Sequence, residues 1–338
     1  MSKKLKFIII TIISSLMILS WAYIYFSGFK GEDINSYWQV GMAISALIFG
    51  LLGMITAKQW GWFKSNVGRA VFFLALGLLL WGVGQSYWTY YLLIDPSAEV
   101  PQSYAMDIIL ISVIPVWIYG TYSLAKATGS KYGFRDVSGL TVAAVVILSM
   151  FLFSYFMLVV IAREGVLFSS EQSIWQSIFD LAFPLGDTIL LTMSLLIFIF
   201  SWNYLGGRFK RQIVIILSSF VLLFLADFSF SFTDGNGTYY NGNFVDLLFI
   251  LMVVLLGLGI SMLDPRFTWK TKSNGFENPS IDPTTNNTQP ENIIPIETTN
   301  DKITSQANNN YTQRDLSQMP DADSLHNRNP DFEQERQD

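Results

Sequence analysis

Five aspartates lie within or at the edges of long apolar runs: Asp107, Asp180, Asp187, Asp227 and Asp246. An ionised side chain at the centre of a bilayer costs about 2.5–3.5 kcal/mol on insertion scales, so such acids should face a protein interior or a wet space, not lipid. Two of them share the run from Ser173 to Ser201, which is long enough to cross a hydrocarbon core of ~30 Å. At ~1.5 Å rise per residue, Asp187 lies roughly 18 Å along that run from Trp175, near the midplane. Asp180, Pro184 and Asp187 occupy positions i, i+4 and i+7, which is one helix face. Pro184 lacks an N–H, so the carbonyl of Asp180 loses its helical donor. One face thus offers two acids and a loosened carbonyl, around which the other helices should form a wall.

The chemistry open to these acids is set by what surrounds them. The apolar runs contain no His, Lys or Arg, and the one histidine, His326, lies far beyond them. Asp187 therefore has no salt-bridge partner in the membrane and must be hydrogen-bonded, hydrated, ion-bound or protonated. The neutral partners within reach are Gln85, Ser86, Thr188 and Thr192. Asp107 and Asp246 each open a helix, where a carboxylate meets the positive end of the dipole. Asp227 has Ser229 and Ser231 beside it, and the outer headgroups in reach. Trp88, Tyr90, Tyr91, Tyr104, Trp175, Tyr239 and Tyr240 fall at the level of the outer acids. They read either as an interfacial aromatic belt or, with the acids, as an outward-facing pocket for a cation such as a quaternary ammonium group or for a hydroxyl-rich small molecule. No loop has metal-ligand spacing. Retinal chemistry needs a membrane lysine, membrane haem proteins commonly use histidine pairs, and a serine nucleophile needs a base; none is present in the spans. No cofactor and no enzymatic activity is therefore expected, and nothing points to nucleic acid. The LGD of Leu185–Asp187 is similar to the GxGD motif of intramembrane aspartyl proteases, but Pro184 replaces the first glycine and both acids, Asp180 and Asp187, lie on one helix.

The elements that must position these residues are membrane spans. Half of the chain is apolar (51 %) and only 14 % is charged, with apolar stretches long enough for helices crossing a bilayer. The reading is all-α: a polytopic membrane protein with eight transmembrane helices at about 7–26, 38–57, 70–92, 106–125, 138–161, 176–200, 212–231 and 245–263. The opening segment, with its basic start and long apolar run but no small-residue cleavage site, reads as a retained signal anchor. With the N-terminus inside, the inner segments collect Lys3, Lys4, Lys6, Lys58, Lys64, Arg69, Lys126, Lys131, Arg135, Arg208, Lys210, Arg211, Arg266, Lys270 and Lys272. The outer ones hold only Lys30 and Arg163. Both termini are expected to be cytoplasmic, in a cell membrane. Residues 1–268 form the membrane domain. Residues 269–338 form a polar, disordered cytoplasmic tail in which acids outnumber bases twelve to four from Asn274 onward. Trp38-Gln39 and Trp175-Gln176 open the second and sixth spans, and Asp107 and Asp246 open the fourth and eighth. Such matches suggest a four-plus-four parallel repeat.

Two stretches carry a resemblance. In Trp81 to Gly120 the residues Gly84, Trp88, Tyr91, Pro101, Ser103, Ala105, Asp107 and Pro115, and in Ala226 to Ile260 the residues Ala226, Asp227, Gly237, Tyr239, Gly242 and Asp246, form a pattern. It resembles the multi-span sensory region at the N-terminus of some prokaryotic signalling proteins with diguanylate cyclase or histidine kinase outputs. FPLGDTILL in the sixth span also fits. The chain departs from that pattern in having Met106 between Ala105 and Asp107, and Ile114 where Tyr precedes the proline. No kinase H-box, ATP-binding glycines or cyclase GGDEF run follows the eighth span. The resemblance implies a sensing or ligand-binding module that signals to a cytoplasmic protein. The alternative is a transporter or channel with Asp187 as its proton- or ion-coupling site. The candidate site residues are Asp107, Asp180, Asp187, Asp227, Asp246, Trp88, Tyr91, Trp175 and Tyr239.

Overall fold

In hydrocarbon no water satisfies a backbone N–H or C=O, so each long apolar run must close its hydrogen bonds on itself as a helix. A computed structural model shows this outcome. It describes residues 1–30, 33–94, 104–130, 136–162, 165, 174–202, 209–263 and 265, with the side chains of 104 and 174–181 outside that set. The 269–338 tail lies outside the described residues. The described residues hold no strand, and eight helices are long and apolar enough to cross a membrane.

These helices are α1 (Lys3–Phe26), α2 (Asp33–Gln59), α3 (Asn66–Ile94), α4 (Tyr104–Thr128), α5 (Val137–Tyr155), α6 (Ile174–Ser201), α7 (Lys210–Gly235) and α8 (Phe244–Met262). They overrun the apolar stretches because polar end residues still join the backbone ladder. Helix α1 thereby takes in Lys6, a cation that the apolar run alone leaves out. Lys6 is buried and its ammonium donates to Thr56 Oγ1 (2.8 Å) and Gln59 Oε1 (3.1 Å) on α2. Helix α5 runs on as a π-helical segment, Phe156–Ile161.

Helices α2, α3 and α8 form the centre with α1 outside them, while α4 bridges α3 and α6, and α5 lies outermost against α6. Exposed large apolar side chains crowd α1 and α5, from Phe7, Ile12 and Leu19 to Leu140, Leu148 and Leu152. Such faces suit acyl chains.

Glycines set the close approaches. A Cβ on Gly77 would lie 2.1 Å from Trp117 Nε1, so the indole of α4 rests directly on the backbone of α3. The same indole donates to Leu74 O (3.2 Å) and meets the Phe220 ring of α7 edge-on at 5.7 Å. Trp117 is buried and ties three helices together. Gly77→Ala should destabilise the fold by about 2 kcal/mol, in the range for overpacked cores. Detergent-solubilised Gly77→Ala should melt lower, and adding Trp117→Phe to it should recover part of the loss.

Candidate functional site

The candidate residues separate into two clusters at different depths. The outer cluster forms where the segment joining α7 to α8 folds back over the bundle. Gly237 (φ 60°) and Gly242 (φ 88°) supply left-handed turns, and Asn243 caps α8 by accepting from Val245 N (2.8 Å). Asp246, in the first turn of α8, is 2 % exposed. Its carboxylate accepts from Gln39 Nε2 of α2 (2.7 Å), from the Tyr239 hydroxyl (3.2 Å) and from Gly242 N. Gln85 Nε2 of α3 donates to Gln39 Oε1 (2.9 Å). Asn241 Oδ1 accepts from Gln39 Nε2 and from Trp88 Nε1, both at 3.2 Å. Asn35 Nδ2 donates to Asn241 O (2.6 Å), and Trp21 Nε1 to Asn243 O (2.9 Å).

This network is a latch that fastens one outer connection to α1, α2, α3 and α8. Within it burial, then the charges of Asp246 and Asp234, hold the Tyr239 phenol well above its ordinary value of 10.0. Tyr240 is pushed up less, chiefly by burial.

The inner cluster is a carboxyl pair. Asp227 of α7 lies eight residues before the end of its helix, roughly 12 Å deeper than the latch at ~1.5 Å per residue. Asp187 of α6 is 4 % exposed. The two acids come from packed helices at one level, with Leu191 of α6 and Phe224 of α7 each one turn away in a shared apolar cluster, and among the described residues Asp187 Oδ2 has no hydrogen-bond partner. A proline within α6 and the π segment after α5 lie near that level. Pro184 stands one turn before Asp187, with its carbonyl taken by the Thr188 hydroxyl (2.7 Å). The π segment of α5 packs on α7, with Leu158, Leu191 and Phe224 in one apolar cluster beside the pair. Non-helical backbone at membrane depth is tolerated where it is buried in protein or lines a polar site, and π segments recur at functional positions.

The sequence-based partner list for Asp187 does not hold. Thr188 and Thr192 turn back to carbonyls of their own helix, Ser86 does the same, and Gln85 is engaged by Gln39. A helical hydroxyl reaches the carbonyl four residues back more readily than a neighbouring helix. The acid at the same level is Asp227 of α7, which shares neither helix nor local sequence with Asp187.

Of the remaining candidates, Trp88 and Tyr239 belong to the latch, where both meet Phe230 (6.1 and 4.9 Å between centroids). Phe230 stands one turn beyond Asp227 on α7 and so links the clusters. Tyr91 packs with Tyr87 and Tyr90 in a half-exposed group of the kind found at interfaces. Asp107 is half-buried in the first turn of α4. The side chains of Asp180 and Trp175 lie outside the described residues. Sequence reading missed Gln39, Asn35 and Asn241 as site residues; the signal available was an uncharged amide within or beside an apolar run, which must find a partner.

Fold and site together define a class: an all-helical protein of membrane-spanning proportions, latched at one end and carrying a carboxyl pair in its interior. No protein family, curated protein or solved structure matches the chain.

Asp246→Ala strands three donors and should cost roughly 3 kcal/mol, since hydrogen bonds to a charged group contribute about 1.5–3 kcal/mol each and partial rehydration offsets part of the sum. Because the Tyr239 phenol is raised in the fold, its stabilisation is complete below pH 10.0 and is lost as pH climbs above that value. Melting temperature should fall less steeply above that pH in Tyr239→Phe than in the wild type.

Proposed function

We propose that this protein is a sensory or ligand-binding module of a cell membrane, whose occupied state is passed to a cytoplasmic partner. The observation that carries the reading is the Asp187–Asp227 pair. A bundle serving only as a scaffold gains nothing from two acids at that depth, where replacement by apolar residues would remove an insertion cost of about 2.5–3.5 kcal/mol for each charged acid. Asp227 and Phe230, one turn apart on α7, connect the pair to the latch, so a change at either cluster has a rigid element along which to travel. The resemblance to sensory regions points the same way. The carrier reading draws on the same pair, because acids buried between spans also serve proton or ion coupling.

The two readings part in proteoliposomes containing a trapped pH dye. A sensor should show no more proton flux than protein-free vesicles after one-sided acidification. Its indole fluorescence should still respond, through Trp88 beside the latch or Trp60, whose Nε1 donates to Leu263 O. Flux abolished by Asp187→Asn would instead establish a carrier and end the sensor reading.

The N-in, C-in topology is part of the proposal and rests on the distribution of Lys and Arg. The chain has no cysteine, so single replacements report sidedness cleanly. Ser2→Cys should react with a membrane-impermeant maleimide only from the inner side, and Asn236→Cys only from the outer side. The four-plus-four organisation is likewise proposed. Supporting it, α1–α2, α2–α3 and α3–α4 contacts recur as α5–α6, α6–α7 and α7–α8, and the α2–α8 contact recurs as α4–α6. Gly120 of α4 packs on Leu74 of α3, and Gly259 of α8 on Ile216 of α7. The two glycines are separated in sequence by the same interval as Asp107 and Asp246.

A further inference from the structure

The face that α4 turns away from the bundle is unlike those of its neighbours. From the middle of the helix to its end the exposed residues are Pro115, Tyr119, Tyr122 and Lys126, and steps of four, three and four residues keep them on one stripe. Where α5 presents Leu140, Leu148 and Leu152, α4 presents two phenols and an ammonium group. An interfacial belt holds phenols at headgroup level, yet Tyr119 stands roughly 10 Å deeper along the helix than Lys126. Lys126 does not carry its charge outward as a lysine near a helix end ordinarily does. Its Nζ lies 4.3 Å from the centroid of the Tyr122 ring, one turn farther in, because a helical side chain leans toward the N-terminus of its helix.

The stripe continues onto α3 as a shelf of rings. Tyr119 meets Tyr122 at 6.3 Å between centroids and Phe73 of α3 edge-on at 4.5 Å, and Phe73 meets Phe63 at 6.1 Å. Phe63 belongs to the single 3-10 turn Trp62–Lys64 between α2 and α3. The chain enters that turn through Gly61 (φ 76°) and Trp62 (φ 56°), the one non-glycine residue among those described with a left-handed backbone. A bulky residue is strained there. The strained turn sets Phe63, 54 % exposed, against the α3 rings, and Lys64 beside it is exposed as well. The shelf therefore has a lysine at each edge.

We propose that this shelf binds one anionic phospholipid of the adjoining leaflet, its phosphate held at Lys126 and Lys64 and its chains lying over the Phe73, Tyr119 and Tyr122 rings. An ammonium group set one turn into the apolar zone needs an anion at that depth, and a lipid phosphate is the anion a bilayer supplies. The phenol hydroxyls can donate to phosphate or ester oxygens. A zwitterionic headgroup would bring a second cation to the lysines. A second copy of this chain is the other occupant that an exposed stripe invites. Two copies related by an axis along the membrane normal would set Lys126 opposite Lys126, and like charges across an interface oppose association. Charge therefore selects the lipid. The inference goes beyond the reading given above: it uses neither the latch nor the acid pair, and needs only that the helices lie in a membrane.

The elements that build the shelf bring no acid to it. Helix α3 and the Trp62–Lys64 turn have none, and Asp107, the acid of α4, is at the other end of its helix. Arg69 of α3 is engaged by Asn66 Oδ1 (2.7 Å), and Lys210 of α7 is seated over the Trp202 ring at 3.3 Å. Lys4 is exposed on α1, which packs on α2 and α8.

The test uses the full chain in detergent with phosphatidylglycerol and phosphatidylcholine added in equal amounts. Native mass spectrometry then counts the lipids left on each chain. One phosphatidylglycerol should be retained in preference to phosphatidylcholine. Lys126→Gln and Lys64→Gln should each lower that preference about fivefold, the effect of one lysine near an anionic lipid surface. Lys4→Gln, away from the shelf, should leave it unchanged. All three lysines are exposed, so the variants should fold, and their melting curves check this. Equal retention of the two lipids overturns the proposal. So does a loss in Lys4→Gln as large as that in Lys126→Gln, because the lysines would then act as one undivided basic collar. Displacement of the lipid by millimolar inorganic phosphate would make this a site for a free anion, and a dimer dissociated by Tyr119→Leu would make it an interface between copies; either result removes the lipid. None of these outcomes touches proton flux or the indole response, so the sensory reading stands or falls separately.

Discussion

A polar group sealed inside an apolar bundle has no water to turn to, and an unmet one costs of order several kcal/mol in hydrocarbon. That constraint arranges most of the contacts between these helices. Four indoles obey it in the same way. Trp21, Trp38, Trp60 and Trp117 each donate Nε1–H to a backbone carbonyl on another segment: Asn243, Met17, Leu263 and Leu74. The large ring fills space while the N–H fixes which residue of the neighbour it lies against. Lys6 meets the same demand through Thr56 and Gln59, and Asp246 through Gln39, Tyr239 and Gly242.

Against that background the two acidic clusters have different characters. Around Asp246, donors from α2, the outer connection and the backbone converge on one carboxyl group, so its oxygens are satisfied and it acts as a fastening. At Asp187 one oxygen has no hydrogen-bond partner among the described residues, and a second acid, Asp227, stands at the same level of α7. A satisfied network rigidifies; an incompletely satisfied one responds to its surroundings. The latch therefore supplies stability at one end of α7.

The backbone around the pair reinforces this division. Pro184 interrupts the hydrogen-bond ladder of α6, and the π segment widens α5 beside Leu158. Elsewhere the bundle is tightened by glycines that bring helices into contact, such as Gly77 under Trp117 and Gly257 under Phe49.

Hydropathy alone was enough to locate eight helices long and apolar enough to cross a membrane, because in hydrocarbon runs of that length have no other way to satisfy their backbone. The first-turn positions of Asp107 and Asp246 were legible for the same local reason. Helix ends were less so, since Lys3 to Lys6 are polar yet extend the ladder. Which groups would meet was decided only by tertiary structure. Asp187 and Asp227 are forty residues apart with no shared motif, and they come to one level because α6 and α7 pack antiparallel. Gln39 finds Asp246 because α2 packs on α8. Local composition prices the burial of a polar side chain, but its partner is chosen by how the helices are stacked, and that depends on side-chain shape summed over every interface.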